Sequence, residues 1–156
     1  MQGRLYTVVF SAVAVAAAQD LFELLVADDK PIEIVGIELG QSSDAGDSAD
    51  ELLQISFIRG FTASGSSGSS ATPAPNNPND AAASFTAEVN NTSLATTGTT
   101  ATLHTGTWNV RAGLTYWFPE GMGPKASQAN TSIVVRQTAP ADALTMSGTL
   151  YVRELI

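Results

Sequence analysis

The chain has 156 residues, enough for one domain that buries roughly two-thirds of its unfolded surface. Hydrophobic residues make up 44% and charged residues only 14%, so Ser, Thr, Asn and Gly must fill much of the outside, as they do on β-sheet proteins. Seven basic residues against fifteen acidic ones leave a net charge of -8, and there is no cysteine, which argues against a nucleic-acid surface and excludes disulfides and thiolate metal sites.

The opening run, RLYTVVFSAVAVAAAQ from Arg4 to Gln19, has two readings. A basic residue, an apolar stretch and an Ala-x-Ala ending at Ala18 are the parts of a secretory signal. The same residues alternate, however, with Leu5, Thr7, Val9, Ser11 and Val13 on one face and Tyr6, Val8, Phe10 and Ala12 on the other. A strand of a sandwich needs that pattern and a signal core does not, so a strand of the mature fold is expected. No apolar run reaches the length of about 18 residues that spans a bilayer, and no membrane partner is expected.

Strand signals then recur with turn chemistry between them. They cover Asp20–Val26, 32–40 (IEIVGIELG), 52–60 (LLQISFIRG), Ser84–Val89, Thr99–His104, Trp108–Val110, 114–119 (LTYWFP), 132–138 (SIVVRQT) and 144–155 (LTMSGTLYVREL). The last alternates most cleanly, with Leu144, Met146, Gly148, Leu150 and Val152 on one side. Eight or nine strands with almost no helical periodicity predict a single all-β domain over residues 1–156. The architecture expected is a two-sheet β-sandwich, a jelly roll of about eight strands, with an immunoglobulin-like sandwich as the alternative. The strong terminal strands are expected inside the sheets.

Chemistry-bearing groups are few. His104 is the only histidine, and no G-x-S-x-G turn supplies a nucleophile for it, so it reads as structural or solvent-facing. Asp44, Asp47, Asp50 and Glu51 form the densest acidic cluster. Their spacing is not that of a calcium loop, and a solvated acidic loop, with one helical turn near Ala49, is preferred to a weak cation site. Ten of the fifteen acids precede residue 52, which predicts one strongly negative surface. NNTS at 90–93 and NTS at 130–132 match the glycosylation pattern, a pattern short enough to arise by chance. No cofactor, metal site or catalytic residue is expected, and the chain does not read as an enzyme.

Two segments point to contacts instead. Trp108, Tyr116, Trp117 and Phe118 lie in TWNVRAGLTYWFPEG. Three consecutive aromatics cannot share one core face if extended, so at least one should reach the surface or a subunit contact; the alternative is that they cap the open end of the sandwich. The tract from Gly60 to Asp80, GFTASGSSGSSATPAPNNPND, has the composition of a linker. Ordering it costs roughly 1–2 kcal/mol of backbone entropy per residue, so an outside hold is expected, from a neighbouring subunit. Phe61, Pro73, Pro75 and Pro78 are then contact candidates in an arm laid across a partner.

The stretches FSAVAVAAAQDLFELL, IELGQSSDAGDSADELL, TPAPNNPNDAAASF and APADALTMSGTLYVREL resemble small virion structural proteins of tailed bacteriophages and prophages, over most of the chain. The resemblance implies a jelly-roll decoration (cement) protein on the outer capsid surface, a homotrimer that contacts the major capsid protein and bridges capsomers. It brings no catalytic residue with it. A tail or head-fibre module that binds host glycans through exposed aromatics is the alternative.

Overall fold

A computed structural model describes residues 3–43 and 51–156. Twelve strands and no helix are found among them: β1 (Arg4–Val15), β2 (Gln19–Leu25), β3 (Ile32–Gln41), β4 (Leu52–Phe61), β5 (Ser69–Ala71), β6 (Ala74–Pro75), β7 (Thr86–Asn91), β8 (Ala101–Asn109), β9 (Leu114–Trp117), β10 (Lys125–Ala126), β11 (Ser132–Gln137) and β12 (Leu144–Glu154). They form two antiparallel sheets. The first runs β10-β3-β12-β1-β6, with β9 also on β3, and the second runs β5-β7-β2-β11-β4-β8. The chain is an all-β, two-sheet sandwich, as the alternation predicts.

If the two- and three-residue strands β5, β6 and β10 are set aside, the first sheet reads β9-β3-β12-β1 and the second β7-β2-β11-β4-β8. In each sheet, strands from the first and second halves of the chain alternate. The first and last strands lie side by side in mid-sheet, Tyr6 opposite Val152 and Val8 opposite Leu150. Tyr6, Val8 and Phe10 of β1 meet Phe22, Leu24, Phe57, Ile133 and Val135 of the other sheet in one continuous core.

Alternation in β1 does not run its whole length. Pairing steps from Phe10–Gly148 to Val13–Met146, a bulge in which Ala12 takes a positive φ of 53°. The extra residue shifts the parity, so Ala12 is exposed and Val15 is buried. Gly148 belongs in the inward row of β12 because a Cβ there would stand 2.8 Å from both Phe10 and Leu39.

The Ser/Gly/Pro tract departs most from expectation. It makes contacts of its own with both sheets. Its first part lies on the outer face of the second sheet, bridged to the segment after β7 at Ala63–Thr96 and Ser66–Ser93. The tract then adds β5 to β7 and β6 to β1, so one excursion ties both sheets together. Glu23, 2% exposed on β2, accepts hydrogen bonds from the Ser64 hydroxyl at 2.8 Å, the Gly65 amide at 2.9 Å and Asn91 Nδ2 at 3.0 Å. Asn91 Oδ1 in turn accepts from the Gly68 amide. Donors with no apolar anchor of their own are thus gathered by one buried carboxylate.

The same device recurs. Asp20 binds Arg136 through both oxygens, at 2.7 and 3.3 Å, and receives the Ala95 amide. Glu33 holds the Gly123 amide and faces Lys125 and Arg153. Glu154 receives the amide and hydroxyl of Ser84. All four carboxylates are at most 2% exposed, so three of the ten acids that precede residue 52, Asp20, Glu23 and Glu33, are turned away from the surface. They fasten loops from inside. Asp44, Asp47 and Asp50, and the helical turn expected near Ala49, lie outside the described residues.

Two phenols predict a response to alkali. Burial and the charge of Glu154 raise the Tyr6 pKa, and its O–H donates to the Ala81 carbonyl at 2.9 Å. The Tyr151 pKa is raised by its hydrogen bond to Glu38 and by burial. A folded-state pKa above the unfolded value near 10 means that the folded chain keeps its proton longer. This stabilisation is complete below about pH 10 and is lost as pH rises through the folded values. Urea midpoints should therefore fall above about pH 10, and Y6F should make that fall shallower.

Candidate functional site

The site is built where β8 and β9, each on the free edge of its sheet, flank the same opening of the sandwich. Side chains of β9 alternate, so Tyr116 turns toward β8 while Trp117 turns out; Phe118, just past the strand, follows Tyr116. Tyr116 and Phe118 pack on each other with ring centroids 4.9 Å apart, and on His104 of β8 at 5.3 and 5.1 Å. Phe57 completes the cluster at 5.5 Å from Phe118 and 5.6 Å from His104. Edge-to-face aromatic contacts of this kind add about 0.5–1.5 kcal/mol each beyond area burial, and they close the gap between the sheets.

Two hollows adjoin the His104–Tyr116 pair. The larger, about 460 Å³, is walled by Leu103, Phe118, Pro119 and Met122, with Arg59 and Lys125 at its rim. A narrower one of about 270 Å³ runs between Ile37, Ile55, Phe57 and Leu114. Lys125 is engaged, with its ammonium on Glu33 at 3.3 Å and on the Gly121 carbonyl. Arg59 is exposed and donates to the Lys125 carbonyl at 3.1 Å, and it makes no ion pair among the described residues. An uncompensated guanidinium beside aromatic rings is the most distinctive electrostatic feature of this edge.

Trp117 sits on the opposite face of β9. It is 52% exposed and stacks on Tyr151 at 4.5 Å. Its ring lies over Gly36, where a Cβ would come within 2.4 Å of the indole. G36A should therefore eject Trp117 at a cost of about 1–3 kcal/mol of overpacking. Adding W117A should recover most of that loss, read as non-additive urea midpoints in a double-mutant cycle.

The aromatic expectations divide. Tyr116 and Trp117 reach the surface at 40% and 52% exposure, and Phe118 is half-buried as part of the cap. Trp108 is not a surface aromatic. It is 3% exposed, and its Nε1 donates to the buried Gln137 at 3.2 Å. Phe61 is also corrected: it is 7% exposed and packs with Ala95 and Val134 under the Arg136 guanidinium. Pro73 and Pro75 are half-buried and Pro78 is exposed, and none of the three lines the aromatic cleft.

Arg59, Leu103, Met122 and Lys125 were not singled out by sequence reasoning. They come from three separate stretches, and Arg59 is marked only by its lack of an ion pair among the described residues, which spacing does not reveal. His104 is packed among rings. Among the described residues no group of three or more His, Asp or Glu side chains is placed to hold a metal ion. Of the glycosylation-pattern asparagines, Asn90 and Asn91 are buried, which leaves Asn130 as the exposed one. Comparison with family models, with curated proteins and with solved structures finds no match, so the site is read from its own geometry.

Proposed function

We propose that the chain is a decoration (cement) protein of a tailed-phage head, docking as a trimer on the outer surface against the major capsid protein. The observation that carries this reading is the placement of exposed apolar side chains. Eight large ones are exposed among the described residues, and four of them, Leu103, Tyr116, Trp117 and Met122, lie at the β8–β9 edge. Aromatic anchors at the centre of an interface supply most of its energy, and three such edges on one trimer multiply weak contacts by avidity. The cross-braced sandwich supplies stiffness, and the net charge of -8 disfavours association with nucleic acid.

Purified heads lacking the protein provide the test. The added chain should cosediment with them in near-constant ratio to capsid subunits and raise their disruption temperature. Y116A/W117A should weaken that binding by about tenfold or more. Absence of cosedimentation, or undiminished binding by the double variant, would overturn the reading.

A further inference from the structure

We propose that the groove crossing Arg59 is a binding site for an acidic saccharide, a hydroxyl-rich ring compound carrying a carboxylate. This assignment does not rest on the capsid reading, and because both use Leu103, Tyr116 and Met122, a bound saccharide and a docked capsid subunit would exclude each other at this edge. Arg59 lines two hollows at once. On one side is the aromatic cleft of about 460 Å³ containing Leu103, His104, Tyr116 and Phe118. On the other is a polar hollow of about 220 Å³ lined by Thr99, Ser127, Gln128 and Thr131. The guanidinium therefore stands between an apolar wall and a hydroxyl-and-amide wall.

Each part selects a feature of the ligand. The larger hollow falls in the size range of small-ligand sites, which combine mostly apolar linings with a few converging polar groups. Its rings offer flat surfaces to the C–H faces of a sugar. The polar hollow offers donors and acceptors to the hydroxyls of an adjoining unit. Arg59 spends one donor on the Lys125 carbonyl, and a guanidinium carries five N–H donors in a fork that matches a carboxylate. An aromatic acid would satisfy the cleft and the cation but would leave the polar hollow unused, which favours a saccharide. The net charge of -8 does not forbid an anionic ligand, because charges beyond about 8 Å are largely screened at physiological salt. The buried acid Glu33, which holds the Lys125 ammonium of the same cleft, is already matched by Lys125 and Arg153.

The test is a chemical-shift titration of the full chain with a glucuronate-containing tetrasaccharide, with its carboxyl-reduced neutral counterpart, and with benzoate. The acidic tetrasaccharide should shift His104, Tyr116, Gln128 and Arg59 resonances with a dissociation constant of millimolar order. The neutral counterpart and the R59Q variant should each bind about tenfold more weakly. Because Arg59 is exposed, R59Q should leave the spectrum of the core unchanged. Equal binding of neutral and acidic sugars, benzoate binding as tight as the tetrasaccharide, or no shifts at these residues would each overturn the assignment.

Discussion

Replacing Asp20 with alanine is expected to lower the unfolding free energy by about 3 kcal/mol. Asp20 is fully buried on β2. It binds Arg136 Nε at 2.7 Å and Nη2 at 3.3 Å while receiving the Ala95 amide at 2.9 Å. Arg136 also donates to the Ala95 carbonyl at 2.9 Å and lies 4.9 Å above the Phe61 ring. Removing the carboxylate strands a guanidinium and an amide together, and breaking a buried pair from one side costs about 3–5 kcal/mol. The lower end applies because the Arg136 side chain retains 25% exposure and can draw in water. D20N, which keeps an acceptor without the charge, should lose less. Urea denaturation of the three proteins checks the order, and a D20A loss below about 1 kcal/mol would contradict this role for the pair.

E23A should have a comparable effect on stability, about 2–3 kcal/mol, with a different distribution along the chain. A hydrogen bond to a charged group contributes roughly 1.5–3 kcal/mol, and such values do not add when donors share one acceptor. Glu23 collects three donors, two of them from the Ser/Gly tract. Without it, Ser64, Gly65 and Asn91 lose their shared anchor, and the 62–68 flap has little apolar surface to keep it in place. The tract should become the first site of proteolysis while the core strands stay intact. Limited digestion followed by mass analysis checks this, and unchanged resistance at Ser64–Ser70 would show that the bridges at Ala63–Thr96 and Ser66–Ser93 suffice alone.

The strands and their faces were legible where burial on one side only imposes a period of two. β12 and β4 follow their alternation closely, and β1 does so until the bulge. A bulge at Ala12 leaves no signature in an Ala/Val run, because any of those small residues could take the extra position. β5, β6 and β10 were hidden because two or three residues are too few to carry a periodicity. The tract's internal contacts were hidden for a physical reason: composition reports the absence of apolar anchors but not the presence of a buried acceptor. Glu23 and Gly65 are 42 residues apart, and Asp20 and Arg136 are 116 apart, so nothing local announces either contact. In the same way, alternation in LTYWFP showed that Tyr116 and Trp117 must diverge. It did not show that Trp108 would be buried or that Arg59 would line the same cleft as Tyr116 with no ion pair among the described residues.

Amide hydrogen exchange at Gly65 and Gly68 on the isolated protein, followed across dilution, tests most directly whether the tract is ordered from within its own chain. The carboxylate anchoring described here predicts protection that is independent of concentration in the native chain and is lost at both amides in E23A. Protection that appears only when copies associate or bind a head, and that survives in E23A, would contradict it.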